Sequence, residues 1–182
     1  GPLDAALSYL NLTELGTDLF GRLVQKFEAA GDAVQAARAR AGRARMFFGA
    51  GRIAEGWELL RAALPVLEAH EAPTLNAALC WASTTTRLLG DLEQARRYAR
   101  KALERAEQAW SPAEVADALA VLADVHEEAG EAREALAAAR RCAAVRRADG
   151  DVLAAVEADL KVVRVTLRDL GDVDEAEAVV RE

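Results

Sequence analysis

Aromatic side chains make up only 5% of this 182-residue chain although 52% of it is apolar, and alanine supplies most of the difference. A single globular core of this size would use more large side chains, whereas closely approaching helices arranged in thin layers need small ones. Cysteine is as scarce: Cys80 and Cys142 lack the spacing of a zinc site and the density of a disulfide framework, which fits a reducing compartment. Four prolines and 12 glycines stand singly along the chain, which excludes a flexible linker or a low-complexity tail. No apolar run reaches the roughly 18 to 20 residues of a membrane span, and no basic, apolar and small-residue export signal opens the chain, so the expected location is cytoplasmic. Lysine accounts for three of 23 basic residues, an arginine excess that suits a GC-rich bacterial genome and says nothing of function.

Positive charge is also lacking where nucleic acid would need it. The formal charge is −7, about −1 over residues 1 to 91 and −6 over residues 92 to 182, and arginines alternate with acidic residues along most helices. No broad basic field is left to displace counterions from a phosphate backbone. Gly1-Pro2 reads as a scar of tag cleavage and Glu182 falls inside a helical pattern, so the expectation is a piece of a larger protein.

What the chain does have is a repeated phrase. Gly90-Asp91-Leu92-Glu93-Gln94-Ala95 recurs as Gly130-Glu131-Ala132-Arg133-Glu134-Ala135 and as Gly171-Asp172-Val173-Asp174-Glu175-Ala176, with a looser copy at Gly51-Arg52-Ile53-Ala54-Glu55-Gly56. These glycines fall 39, 40 and 41 residues apart, the size of one helical hairpin per repeat. Each glycine ends a helix in the left-handed conformation, and a following Asp91 or Asp172 can cap the next helix for about 1 kcal/mol. Breaks of a second kind, Gly31-Asp32, His70-Glu71-Ala72-Pro73, Trp110-Ser111-Pro112 and Gly150-Asp151, separate hairpin from hairpin. Ser111-Pro112-Ala113-Glu114 reads as a capping box with proline in the first helical position.

The pattern predicts about ten helices, near 3–15, 17–30, 32–49, 52–70, 73–89, 92–109, 112–129, 132–148, 151–170 and 173–182, and no strand. Val115, Leu119, Leu122 and His126 recur at three- and four-residue steps, answered by Ala135, Leu136, Ala139 and Cys142 on the next helix. The fold expected is therefore all-α, built of tandem antiparallel hairpins.

A small residue, a turn glycine, an alanine five residues on and a later small-apolar pair, as in Ser83, Gly90, Ala95 and Ala102-Leu103, or Ala123, Gly130, Ala135 and Cys142-Ala143, resemble the tetratricopeptide (TPR) repeat. Ala44, Gly51, Gly56 and Ala63-Leu64 form the looser copy. The resemblance covers residues 32 to 182 and implies a right-handed solenoid over 1–182, with repeats at 32–70, 73–109, 112–148 and a truncated 151–182, preceded by a degenerate hairpin at 3–30 turning at Gly16. A spacing near forty residues resembles the long-helix repeats of bacterial signalling proteins. The usual large aromatics are mostly missing, and Arg164 stands where a small residue is expected.

Candidate catalytic groups are few. His70 lies at a helix end and His126 on the apolar stripe, and the sequence pairs neither with a partner. Neither a metal-ligand cluster nor a phosphate-binding glycine loop is present, so no cofactor, metal or catalytic residue is assigned. Glu127-Glu128 and Asp174-Glu175 are adjacent on helices, point about 100° apart and do not share a proton.

The resemblance implies that the first helix of each hairpin lines a concave groove that selects a protein or peptide. The groove-facing set is then Arg38 and Arg45, Trp81, Thr84 and Arg87, Asp117, Asp124 and Glu127, and Lys161 and Arg168. Arg38 and Arg45 share a helix face, with Arg40 and Arg43 on the other side. Arg38, Arg45 and Arg87 could hold an acidic stretch of a ligand, or could pair internally with Asp117 or Asp124, and the sequence leaves both open. Trp81 is a partner anchor or a wedge between repeats, with the groove preferred, while Trp57 and Trp110 are expected to pack on an adjacent hairpin. Gly42, inside a helix, is expected to admit a neighbouring backbone.

The function expected is an interaction scaffold, the regulatory or sensory module of a larger bacterial signalling or transcriptional regulatory protein. A small-molecule or peptide-signal sensor is the alternative, and a helical enzyme domain a more distant one. A homodimer through the solenoid ends is possible.

Overall fold

The computed structural model describes the chain over residues 2–181, with side chains described for 12–169, 171–174, 176, 177 and 179. Among these residues there are nine α-helices and no strand: α1 (Pro2–Ala29), α2 (Ala33–Gly49), α3 (Ile53–Ala69), α4 (Leu75–Leu88), α5 (Leu92–Gln108), α6 (Pro112–Glu128), α7 (Ala132–Asp149), α8 (Val152–Val165) and α9 (Val173–Arg181). A π-helical turn, Thr166–Leu170, extends α8.

Every connection between helices closes on a residue with positive φ, and these fall about twenty residues apart: Gly31, Gly51, Glu71, Gly90, Trp110, Gly130, Gly150 and Gly171. At each of Gly31, Gly90 and Gly150 the next residue is an aspartate that accepts from the new helix: Asp32 from Gln35 N–H at 3.0 Å, Asp91 from Gln94 N–H at 2.9 Å and Asp151 from Ala154 N–H at 3.1 Å. The left-handed residue lets the chain reverse while two backbone bonds satisfy the ending helix; after α4 these are Gly90 N–H to Arg87 O and Asp91 N–H to Thr86 O, both 2.9 Å. The turn after α5 repeats the pattern, Trp110 N–H to Glu107 O at 3.2 Å and Ser111 N–H to Ala106 O at 3.1 Å, with tryptophan where the other repeats use glycine. A side chain in this conformation costs about 1–2 kcal/mol. Helix α6 begins at Pro112 as the sequence implies, although the Ser111 hydroxyl makes no capping bond.

The turn expected at Gly16 does not occur, because α1 runs through it as one helix. Gly16 there serves packing: a Cβ at that position would stand 2.7 Å from Met46 Sδ of α2. One helix thus replaces the two expected over 3–15 and 17–30. Gly42 in α2 likewise admits a side chain where a backbone was expected, since a Cβ there would lie 2.5 Å from Cε1 of Phe20.

Packing divides the chain into two compact units, one up to Ala82 and one from Ser83, with the division inside α4. In the first, α1 packs on α2 and α2 on α3, and Leu60, Leu67, Leu75 and Leu79 are fully buried beside alanines such as Ala37, Ala44 and Ala63. In the second, α5 to α9 pack each on the next. Its core joins Ala106, Val115, Leu119, Cys142 and Ala158, then Ala123, Ala135, Leu136, Val162 and Val165. The expected facing stripes of α6 and α7 are therefore in place. Ser83, fully buried, donates to the Ala95 carbonyl at 2.9 Å, which explains why a small residue stands there as α4 approaches α5. Alanine at so many contacts brings helix axes close while each pair contributes modest apolar area, so stability accumulates from neighbouring layers.

Candidate peptide-binding site

In the first unit, seven-residue spacing places Arg38 and Arg45 on one side of α2, and Arg40 and Arg43 leave it for the other. Arg40 pairs with Glu28 of α1, and the Arg43 guanidinium lies 5.7 Å from the Phe47 ring centroid. Arg45 sits over Trp81 of α4, its guanidinium carbon 5.9 Å from the ring centroid, a cation–π contact. Arg38 donates to Gln35 Oε1 at 3.2 Å. Between them opens a pocket of about 300 Å³ whose walls include Phe20, Leu23 and Phe27 of α1 with Arg38, Arg45 and Trp81. Thr74 also lines it, with a buried hydroxyl that has no hydrogen-bond partner among the described residues.

The size admits one large apolar side chain, and the two guanidinium groups can take a carboxylate beside it. Among the described residues neither Arg38 nor Arg45 forms an ion pair with a carboxylate. The α1 contribution escaped the sequence reading, which assigned that segment to a separate hairpin; its Phe20, Leu23 and Phe27, at helical spacing, were the available signal.

The second unit carries the remaining candidate residues, and there the charges neutralise one another. Arg87 donates to Glu128 at 2.8 Å; Glu127 accepts from Arg164 and Arg168, each at 2.7 Å; Lys161 pairs with Asp124; Asp117 pairs with Arg146 of α7. The Arg87–Glu128, Lys161–Asp124, Arg164–Glu127 and Arg168–Glu127 partners are 37 to 41 residues apart, one repeat length, so successive hairpins bring equivalent positions together. The internal network weighed from sequence thus exists for Arg87, but with Glu128 as partner in place of Asp117 or Asp124. Arg87, Asp124, Glu127, Glu128, Arg164 and Arg168 line a charged cleft of about 440 Å³. Thr84 is half-buried on the same stretch of α4. Burial, with the Arg164 and Arg87 charges nearby, lowers the Lys161 ammonium to about 8.

His126 is buried on the α6 stripe and does have a partner: its Nδ1 lies 2.5 Å from Glu131 Oε2. Glu131 also accepts from Arg96 Nη2 at 2.8 and 2.9 Å, tying α5 to the turn between α6 and α7. The His126 hydrogen bond foremost, and Arg96 after it, lower the Glu131 carboxyl below the usual glutamate value. His70 is an exposed C-cap residue of α3. Glu127 and Glu128 take different arginines, as divergent neighbours on a helix should, and Asp174 is exposed while the side chain of Glu175 lies outside the described residues. Among the described residues no three histidine, cysteine or acidic groups gather as a metal site.

The hairpins and their faces have known counterparts. Residues 77–108 match the model of the tetratricopeptide repeat. That match covers one repeat, and the fold around it is tetratricopeptide-like. Solved structures share the fold. A Rap protein complexed with Competence and Sporulation Factor matches with a TM-score of 0.80 at 18% identity, over 96% of this chain and 48% of that one. A putative kinesin light chain of Podosopora anserina, with nearly identical TPR-like repeats, matches with a TM-score of 0.76 at 14% identity, over 97% and 88%. BtubC (BKLC) from P. vanneervenii matches with a TM-score of 0.73 at 19% identity, over 82% and 62%. The TPR-like chain therefore spans about half of the Rap chain and less than two thirds of BtubC. No curated protein matches its sequence. At such identities the likeness concerns the fold.

Proposed function

We propose that this TPR-like chain is an interaction module that takes a peptide segment of a partner protein at the Arg38, Arg45 and Trp81 pocket, an apolar side chain entering and an acidic group meeting the guanidinium groups. One observation carries the reading: these two arginines flank an apolar pocket without a carboxylate partner among the described residues, whereas the arginines of the second unit's cleft are neutralised. The residues Thr84, Arg87, Asp117, Asp124, Glu127, Lys161 and Arg168 would serve as a polar surface whose ion pairs open only for a ligand that replaces them. The Rap protein of like fold is complexed with a factor, which supports a ligand-holding role for such repeats. We place the module in a larger bacterial regulatory protein, on the long-repeat resemblance. Exposed Leu12, Leu15 and Leu19 on α1 add a surface that a second copy could cover, which light scattering would detect.

The test is an array of short synthetic peptides pairing leucine or phenylalanine with aspartate or glutamate, read by fluorescence anisotropy. Binding should weaken at least about tenfold in Trp81→Ala and Arg45→Ala, and should vanish when lysine replaces the acidic residues. Equal binding by the variants would remove the pocket from the account. A sensor for small metabolites is the competing reading, favoured by the unpaired Thr74 hydroxyl at the pocket wall; a metabolite that raises the melting temperature where peptides do not would decide for it.

A further inference from the structure

Trp110 is the most exposed large apolar side chain among the described residues, at 91%, against the sequence expectation that it would pack on an adjacent hairpin. Its backbone explains the departure: in the left-handed conformation at the α5–α6 turn, φ 52°, the side chain is directed away from the helices. The glycines at the corresponding turns show the same geometry, for a Cβ at Gly31, Gly51, Gly90, Gly130, Gly150 or Gly171 would meet nothing within 4 Å. Six of eight turns use glycine, so tryptophan here is locally unfavourable and gains no packing in return.

Beside the indole lies a cleft of about 510 Å³ with an apolar wall of Pro112, Val115, Val145 and Ala148. Arg141 and Glu107 on its edge pair with each other. Asp149, also on the edge, has no cation partner among the described residues, because Arg146 engages Asp117 and Asp151 while Arg147 engages Asp159. Asp149 is moreover the last residue of α7, where the helix dipole disfavours an anion. Two residues at one cleft are therefore each unfavourable for folding. Together they offer an exposed π face and an unpaired carboxylate above an apolar floor, the pair of groups that receives a cation.

We infer that the α5–α6 and α7–α8 turns form a second docking site, separate from the Arg38–Trp81 pocket, for a basic peptide segment of a partner. A lysine or arginine of that segment lies between the Trp110 indole and the Asp149 carboxylate, and an adjacent apolar residue rests on Pro112, Val115 and Val145. The charge complementarity is local: the lining carries the carboxylates Glu107 and Asp149 against the single cation Arg141, which favours a basic segment at this cleft.

The probe is a labelled synthetic peptide of alternating leucine and lysine, with the glutamate-for-lysine peptide as control, titrated into the whole chain and read by anisotropy. The lysine peptide should bind, and Trp110→Ala and Trp110→Gly should each weaken it at least about tenfold, while Trp110→Gly melts at or above the wild-type temperature. Asp149→Asn should weaken it about three- to tenfold at low salt, and the difference should fade as salt screens it. Trp81→Ala should leave it unchanged, which separates this site from the pocket on α2 and α4. Absence of lysine-peptide binding, equal binding of the glutamate peptide, or full affinity in Trp110→Ala would overturn the inference, and a lowered melting temperature of Trp110→Gly would show that the indole is there for packing.

Discussion

Gly42 of α2 faces the ring of Phe20 from α1, and no side chain larger than hydrogen fits between them: a Cβ would lie 2.5, 2.8 and 2.9 Å from three ring carbons. Alanine at this position would gain about 1 kcal/mol of helix propensity and lose about 1–3 kcal/mol to overpacking. Gly42→Ala should therefore destabilise the wild-type chain by about 1 kcal/mol and, in a Phe20→Ala background, should stabilise it by a similar amount. Urea denaturation of the four proteins checks this, and a Gly42→Ala effect of one sign in both backgrounds would show that Phe20 is not the reason for glycine.

Glu131 links Arg96 and His126 across the α6–α7 turn, and its folded carboxyl titrates below the unfolded value because those two groups hold it ionised. The sign follows from linkage. The contribution to stability is complete above the unfolded glutamate value, about 4.3, and disappears as pH falls through the lower folded value. Glu131→Gln should accordingly show a shallower loss of stability between about pH 5 and pH 3 than the wild type, with the two curves parallel above about pH 6. Denaturant midpoints across that range measure it, and identical acid limbs would assign the hydrogen bond no energetic role.

Lys161 shows the opposite end of the pH scale. Its folded value of about 8 lies below the unfolded lysine value, so between the two the unfolded chain binds more protons and stability rises with pH. Lys161→Met removes that component. From about pH 8 to 10 the wild type should gain stability relative to Lys161→Met, and parallel curves would mean that burial does not strain this ammonium.

The repeat was legible because its signals are local: a glycine that ends a helix, followed after Gly31, Gly90, Gly150 and Gly171 by an aspartate at the start of the next, is chemistry of adjacent residues, and the glycines marked the turns at these four positions and at Gly51 and Gly130. Glu71 and Trp110 fill the same role without glycine, so their breaks were visible but their conformation was not. Gly16 misled for the converse reason, since a glycine that makes room for Met46 looks in sequence like one that makes a turn. On the candidate site, the shared face of Arg38 and Arg45 followed from helical periodicity. That Phe20, Leu23 and Phe27 complete the pocket, and that Glu128 rather than Asp124 answers Arg87, depends on how helices pack, which local spacing does not encode.

The most direct test of the account concerns where a bound peptide sits, and Trp81 reports it. In a Trp57→Phe, Trp110→Phe background it is the one tryptophan left of three. Titration with the best acidic-apolar peptide should shift and quench its emission with the same midpoint as the anisotropy of the label, and Arg45→Ala should move both midpoints together. Binding that proceeds with Trp81 emission unchanged would place the ligand elsewhere and contradict the proposed site.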